Sequence, residues 1–436
     1  METYLRGQPL AKGQLAVVVG AGRSGKAAVN LLLAKGAKVR LLEKNPNALD
    51  AKERANFLGA DVDVRLKEHT AEDFQGARCV VLSPGLPLAK IAPLLDQEAI
   101  RRGELEVIAE MELAYRYLQG EPILAVTGTS GKTTTVSVAA AMLKQQGYSV
   151  FLGGNIGTPL SEYVLANRKV DVLVLEISSF QLQTCTTFKP RVAVLLNLSP
   201  NHLDYHKDMA EYAQAKFRLF RWQDANDLAV LGPNLEDYVQ EFGLKASKVF
   251  IQDQGRFTEM RLIGPHNRFN CEAAWQAVRF FGVNQANAAT AVAKFQPLPN
   301  RLERVREHKS VLYINDSKST TVAALKVALE AMERPVRLLC GGKFKGGDLA
   351  SLIPLLQSKV RQVALFGAAK EEFESAWRKI VPLSWHPTLD GAVAELFNAA
   401  QAGDAVLLSP ATASFDLYQN YAERGAHFRK LVEALP

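Results

Sequence analysis

The chain has 436 residues, 48% of them hydrophobic and 22% charged, with 30 glycines and 19 prolines scattered along it. That is a globular composition, which excludes disordered, collagen-like and coiled-coil chains, and the length accommodates two to four domains. A surplus of 52 basic over 45 acidic residues leaves +7, without any run of five like charges to mark a nucleic-acid arm; such a surplus suits small phosphorylated ligands.

Four cysteines (Cys79, Cys185, Cys271, Cys340) lie far apart, a pattern that fits a reducing compartment rather than a disulfide framework or zinc knuckle. The N-terminus lacks the apolar core of a signal peptide, and no apolar run reaches the ~18–20 residues that span a bilayer. The expectation is a cytoplasmic protein that uses neither membrane nor nucleic acid.

Short Val/Leu-rich runs recur at 15–19, 39–42, 79–82, 123–126, 172–176, 192–196, 311–314, 336–339, 362–365 and 405–408, with helical patterns between them. Near-continuous apolar strands interleaved with helices predict an α/β protein with parallel sheets covered on both faces. Breaks near 103–111 and at the two prolines of 296–300 divide the chain into three domains, 1–110, 111–298 and 299–436.

The first loop, Gly20-Ala21-Gly22-Arg23-Ser24-Gly25, follows a strand, precedes a helix and has Glu43 at the end of the next strand. This Gly-x-Gly-x-x-Gly pattern holds a diphosphate at a helix N-terminus, and an NAD-dependent oxidoreductase is one reading of it. Ser83-Pro84-Gly85 forms a further turn at a strand end, where ligand loops of an open sheet gather.

The strongest local signal is Thr127-Gly128-Thr129-Ser130-Gly131-Lys132-Thr133-Thr134, between strand 123–126 and a small-residue helix. Glycines let the backbone wrap an anion; Lys132 then reaches phosphate oxygens and the Thr133 hydroxyl can ligate Mg²⁺. The first glycine lies two residues closer to Gly-Lys-Thr than in the standard phosphate loop. Glu176, at the end of strand 172–176, occupies the place of a Mg²⁺-binding acid, with helix capping as its alternative role. Ser178, Ser179 and Gln181 are substrate contacts or helix caps, and His202 and Asp204 follow strand 192–196 as potential ligands or phosphate contacts. Three more polar loops, 315–321, 341–347 and 409–416, each follow a strand; together they describe a cationic pocket suited to a carboxylate.

These motifs, with Gly153-Gly154-Asn155-Ile156-Gly157, Glu176-Ile177-Ser178-Ser179-Phe180-Gln181-Leu182, His202-Leu203-Asp204, Tyr212-Ala213-Gln214-Ala215-Lys216, Gly264-Pro265-His266-Asn267 and Asp316-Ser317-Lys318-Ser319-Thr320, resemble the bacterial Mur ligases in order and over essentially the whole chain. Within that family, Glu176–Leu182 and the stretch 408–416 resemble the branch that adds D-glutamate to UDP-N-acetylmuramoyl-L-alanine, and no Asp-Asn-Pro-Arg motif is present.

The resemblance implies three domains: a Rossmann-like UDP-binding domain, a central phosphate-loop ATPase domain with a parallel sheet, and a C-terminal Rossmann-like domain. It implies UDP-sugar contacts at Arg23, Ser24, Lys44, Asn45, Gly85, Asn155 and His202. ATP would lie on Gly128, Thr129, Ser130, Gly131, Lys132, Thr133 and Thr134, with Asn267, Asn270, Arg301 and Asp316. D-Glutamate would meet Thr320, Lys345, Ser414, Phe415 and Tyr421. Lys132, Glu176, His202, Lys216 and Lys318 would carry catalysis. Two Mg²⁺ ions would be held by Thr133, Glu176, His202 and Lys216, the last as a carbamate. A monomeric enzyme acting on small molecules is implied, with a sibling ligase or a folylpolyglutamate synthase as alternatives. Asn300, Thr321 and Lys343 depart from the residues usual at their places in the family.

Overall fold

The apolar runs pair into three sheets in the computed structural model, which describes residues 7–201 and 205–436. The first holds β1 (Leu15–Val19), β2 (Lys38–Glu43), β3 (Asp63–Leu66), β4 (Ala77–Leu82) and β5 (Glu106–Ala109) in the order β3-β2-β1-β4-β5, all parallel. The second holds β6 (Ile123–Thr127), β7 (Val150–Gly154), β8 (Val172–Glu176), β9 (Val192–Leu195), β10 (Leu228–Leu231) and β11 (Ser247–Phe250) in the order β11-β10-β9-β6-β8-β7, also parallel. The third holds β12 (Glu303–His308), β13 (Val311–Asn315), β14 (Val336–Gly341), β15 (Val360–Phe366), β16 (Leu383–His386) and β17 (Ala405–Leu408) in the order β12-β13-β17-β14-β15-β16. Only its edge strand β12 runs antiparallel, against β13.

Each predicted strand is present. The central ones are buried along their whole length, as both-face coverage requires: Val17, Val18 and Val19 of β1 and Leu173, Val174 and Leu175 of β8 are all fully buried. The residues of the predicted break near 103–111 hold β5, which completes the first sheet, and the start of a helix at Glu110–Tyr115.

The chain divides into two compact units, residues 1–256 with 269–292, and residues 257–268 with 293–436. Within the first unit one hydrophobic cluster runs from Val18 and Val81 through Met111 and Leu113 to Leu173 and Leu195, so the first two sheets share a core. Glu112, fully buried between them, accepts hydrogen bonds from the backbone amides of Thr186, Thr187 and Phe188, from both threonine hydroxyls, and from Arg116. That many donors offset the cost of burying the charge, because each lone pair lost to water finds a partner. In the second unit, clusters on the two faces of the third sheet centre on Leu338, Leu365 and Trp377, and on Tyr313, Leu408 and Phe428.

Strand order decides where loops can meet. In each sheet the chain crosses to either side of a central strand, so a crevice opens at that strand's carboxyl end. The crevices lie beside β1 and β4, beside β6, β8 and β9, and beside β13, β17 and β14. Among the described residues, no helix is long and apolar enough to cross a membrane.

Candidate active site

The glycine loop after β1 is shaped by close approach. Gly20 has φ +98°, and a Cβ at Gly25 would lie 1.9 Å from the Gly20 carbonyl oxygen. Only glycine lets the helix Arg23–Ala34 start this close to the strand. Ser83, after β4, donates to the Gly20 carbonyl at 3.0 Å and joins the two loops. Glu43 is turned onto the loop: its carboxylate accepts from the amides of Ala21 at 2.8 Å and Asn45 at 2.9 Å. Burial raises its pKa, and these backbone donors outweigh the burial and leave it below the ordinary carboxylate value.

Of the residues expected at the UDP-sugar, Arg23 is exposed and pairs with Glu162 at 3.5 Å, and Ser24 sits half-buried in the first helical turn. Lys44 pairs with Glu68 at 2.6 Å, and Asn45 accepts from the Asn47 amide at 3.0 Å. Gly85 has φ +89° in the turn after β4. Arg23, Ser24, Lys44, Asn45 and Gly85 therefore line the carboxyl edge of one sheet.

Around β6 the geometry is tighter. Gly131 takes φ +84° as the residue before helix Lys132–Gln146, and a Cβ there would lie 2.4 Å from the Asn270 side-chain oxygen. Lys132 folds back over the loop, donating to the carbonyls of Gly128 at 2.8 Å and Thr129 at 3.0 Å. Thr133 donates to one oxygen of Glu176 at 2.7 Å, while the other accepts from the Asn155 side-chain amide at 2.8 Å. Asn155 is seated by its own backbone amide on the Glu176 carbonyl, also at 2.8 Å. Thr134 lies half-buried in the same helical turn.

Lys216 comes from the helix Met209–Phe217 and is only 1% exposed. Its amine donates to the Gly128 carbonyl at 3.0 Å and the Thr127 hydroxyl at 3.3 Å, and lies 4.7 Å from the centre of the Tyr212 ring. Burial, followed by the charge on Lys132, drives its pKa well below the ordinary lysine value, against the pull of Glu176. The Tyr212 hydroxyl lies 3.2 Å from that of Thr129, within the loop. The structure thus brings Gly128, Thr129, Lys132, Thr133, Asn155, Glu176 and Lys216 into one cluster. The predicted ligand His202, with Asp204, lies outside the described residues. Ser178 and Gln181 form a capping box on helix Ser179–Gln183, the capping alternative for this motif.

Asn270, in the first unit, is buried and 3.5 Å from the Thr135 hydroxyl, whose oxygen donates to it. Asn267, in the second unit, is buried and donates to the Ile263 carbonyl at 2.7 Å. Arg301 is half-buried and follows Asn300, whose φ is +63°.

In the second unit, Asp316 accepts from the Leu302 amide at 3.1 Å and from the Ser409 hydroxyl at 3.0 Å. Its burial pushes the carboxyl up to about 7, although those two donors and the Arg301 charge pull the other way. Lys318 lies 5.4 Å from the centre of the Tyr421 ring, and Thr320 is half-buried in the turn beyond it. Reciprocal backbone bonds of 2.8 and 3.0 Å between Lys343 and Ala413 set the loop carrying exposed Lys345 beside the stretch carrying buried Ser414 and exposed Phe415. A residue the sequence motifs left out welds these loops together. Arg424, fully buried, donates to the Ser317 hydroxyl at 3.0 Å and to the carbonyls of Ser317 at 2.8 Å and Thr412 at 3.1 Å. Nothing in its local pattern, on a helix of mixed polar residues, marks it out.

Glu176 and the Thr133 hydroxyl present only oxygen donors, the set that suits Mg²⁺, and Thr133 sits in the loop that would hold phosphates. The residues present therefore fit a Mg²⁺–nucleotide at this place.

Comparison with known proteins agrees with this geometry. Residues 14–108 match the model of the MurD-like N-terminal domain of Mur ligases, 126–250 the Mur ligase middle domain, and 300–412 the Mur ligase, glutamate ligase domain. The UDP-N-acetylmuramoylalanine–D-glutamate ligase of Desulfovibrio desulfuricans is 60% identical over 99% of this chain and 98% of its own length. The ligase of the same name from Oleidesulfovibrio alaskensis is 53% identical over 98% and 95%. Among solved structures, MurF ligase from Thermotoga maritima in complex with ADP superposes with a TM-score of 0.60 at 19% identity, over 91% of this chain and 95% of that one. Folylpolyglutamate synthase from Mycobacterium tuberculosis gives 0.56 at 15% identity, over 73% and 93%. The chain belongs to the Mur ligase family.

Proposed function

We propose that this chain is an ATP-dependent ligase that joins D-glutamate to UDP-N-acetylmuramoyl-L-alanine, in the cytoplasmic synthesis of peptidoglycan precursors. The observation that carries the reading is full-length identity of 53–60% to relatives bearing that name. We assign residues 1–110 to the sugar nucleotide, 111–298 to ATP and 299–436 to the amino acid, in a monomer that engages neither membrane nor nucleic acid.

The alanyl carboxylate of the sugar nucleotide attacks the γ-phosphorus of ATP, forming an acyl phosphate and releasing ADP. The amine of D-glutamate then adds to the acyl carbon, loses a proton, and expels phosphate as the amide forms. Gly128, Thr129, Ser130, Gly131 and Thr134 cradle the phosphates, and Lys132 and Lys318 neutralise charge that grows on the transferring phosphoryl group. Thr133, Glu176, His202 and Lys216, the last as a carbamate, would hold two Mg²⁺ ions, which when bound would draw charge off the phosphoryl oxygens. Asn267, Asn270, Arg301 and Asp316 complete the nucleotide site. Arg23, Ser24, Lys44, Asn45, Gly85, Asn155 and His202 bind the sugar nucleotide. Thr320, Lys345, Ser414, Phe415 and Tyr421 bind D-glutamate.

Lys216 serves as a carbamate. Its depressed pKa keeps a share of the amine neutral, and the neutral amine adds to CO₂ with loss of one proton. The product is an anion, which a metal ion can bind, in place of an amine that burial keeps from holding its proton.

Oxygen tracing tests the chemistry. With ¹⁸O in the alanyl carboxylate, one labelled oxygen appears in the released phosphate; unlabelled phosphate formed together with amide would contradict the acyl-phosphate route.

A further inference from the structure

We propose that Asn197 is a positioning residue for the phosphate loop, holding it in its nucleotide-binding shape from outside the loop. This rests on the assignment of residues 128–134 to the phosphates of ATP.

Asn197 lies just beyond β9, the neighbour of β6 in the sheet. Its side-chain oxygen accepts from the Ser130 amide at 2.9 Å, and its side-chain nitrogen donates to the Ser130 carbonyl at 3.3 Å. Its own carbonyl accepts from the Thr129 amide at 3.1 Å. The Thr129 hydroxyl adds two bonds to the main chain of Ser199, accepting from its amide at 3.1 Å and facing its carbonyl at 3.3 Å. The middle of the loop is therefore held along one edge, as a strand is held by a neighbour, with a carboxamide standing in for a peptide group.

The sequence explains why the strap is needed. This loop is two residues shorter between its first glycine and Gly-Lys-Thr than the standard phosphate loop, and both Gly128 (φ +151°) and Gly131 (φ +84°) adopt conformations other residues resist. Two such glycines leave Thr129 and Ser130 poorly constrained by the chain itself. A loop that must be ordered by the ligand binds it more weakly than one ordered beforehand. Asn197 supplies that order through two directed bonds to the backbone of one residue, Ser130. Gly128 is fitted to the same segment, since a Cβ there would lie 3.0 Å from the Leu196 Cβ.

The side-chain bonds go to the backbone of Ser130, so its effect acts through the backbone of Thr129 and Ser130. The test is Mg·ADP binding by calorimetry and steady-state kinetics of the full chain, for the wild type, Asn197→Ala and Asn197→Asp. Asp keeps the acceptor for the Ser130 amide and loses the donor to its carbonyl, and it offers a second variant if Ala does not fold. Expected are about tenfold weaker Mg·ADP binding and a similar rise in KM for ATP for each folded variant. KM values for D-glutamate and the sugar nucleotide should stay within twofold, as a general loss of structure would not allow. Tighter Mg·ADP binding would show that Asn197 occupies the loop in competition with the nucleotide, and unchanged binding that the strap is idle; either overturns the proposal. A wild type that binds no Mg·ADP would instead remove the nucleotide assignment beneath it.

Discussion

The Glu176 carboxylate bridges the Thr133 hydroxyl, 2.7 Å away, and the Asn155 side-chain amide, 2.8 Å away, so the end of β8 is tied both to the phosphate loop and to the loop after β7. Replacing it with Gln keeps the size and a carbonyl oxygen for one of these bonds while removing the charge. Glu176→Gln is expected to lower kcat at least about 100-fold, with its Mg²⁺ requirement moved to higher concentration and its melting temperature within a few degrees of wild type. A magnesium titration of phosphate release, run beside a thermal melt, checks it.

Lys216 is the second charged group of that cluster, and its burial sets a pH rule. Its folded pKa lies below the unfolded value, so the folded state holds fewer protons, and the neutral amine that takes up CO₂ becomes scarcer as pH falls. Turnover in CO₂-depleted buffer should therefore be weakest at low pH and recover on addition of bicarbonate. Lys216→Ala should abolish ligation, and formate or acetate should partly restore it by placing a free carboxylate in the vacated space. Turnover of the variant unaided by any carboxylate would show that no carbamate is used.

Asp316 gives a stability prediction of the opposite sign. Burial raises its carboxyl to about 7, against an unfolded value near 4, so between these pH values the folded state binds more protons than the unfolded one. The stability tied to this protonation is complete below pH 4 and is lost as pH rises through 7, at up to about 1.4 kcal/mol per pH unit. Asp316→Asn keeps an acceptor for the Leu302 amide, and its NH₂ can donate to the Ser409 hydroxyl. It should melt higher than wild type at pH 8, with the gap closing as the pH is lowered toward 4, while losing ATP-dependent turnover. Thermal melts across that range measure it.

Glu112 should behave as a structural keystone. Removing its carboxylate leaves the amides of Thr186, Thr187 and Phe188 without their acceptor and Arg116, among the described residues, with only Glu106 as ion partner, at 2.7 Å. Breaking a buried, fully bonded charge costs roughly 3–5 kcal/mol. Glu112→Ala should lower the melting temperature by several degrees, and urea denaturation should show the loss as a shifted midpoint.

Glu112 also shows where sequence reading stops. It lies 74 to 76 residues from the threonines and phenylalanine it binds, and half of its partners are main-chain amides, which carry no residue signature. Asn197 and Arg424 escape notice for the same reason, since both bind chiefly backbone. By contrast β1, β8 and β17 coincide residue for residue with the apolar runs that predict them, because strands buried on both faces tolerate little else. β12 (Glu303–His308), with four charged residues in six, has no such run: it is an antiparallel edge and can face water. β7 ends in Gly153-Gly154, which reads as loop, yet Gly154 is there because a Cβ would lie 2.4 Å from the Glu176 carbonyl oxygen. The phosphate loop was legible because its chemistry demands glycines, a lysine and a hydroxyl in fixed order. The groups that hold it in place are set by the fold and not by that order.

The most direct measurement of the central claim is amino-acid-dependent phosphate release by the purified protein, with ATP, Mg²⁺ and UDP-N-acetylmuramoyl-L-alanine, and the product identified by mass. D-Glutamate should give stoichiometric ADP, phosphate and a product heavier by one glutamyl residue, while L-glutamate, L-lysine and meso-diaminopimelate give none. Turnover with L-glutamate and none with D-glutamate would contradict the account.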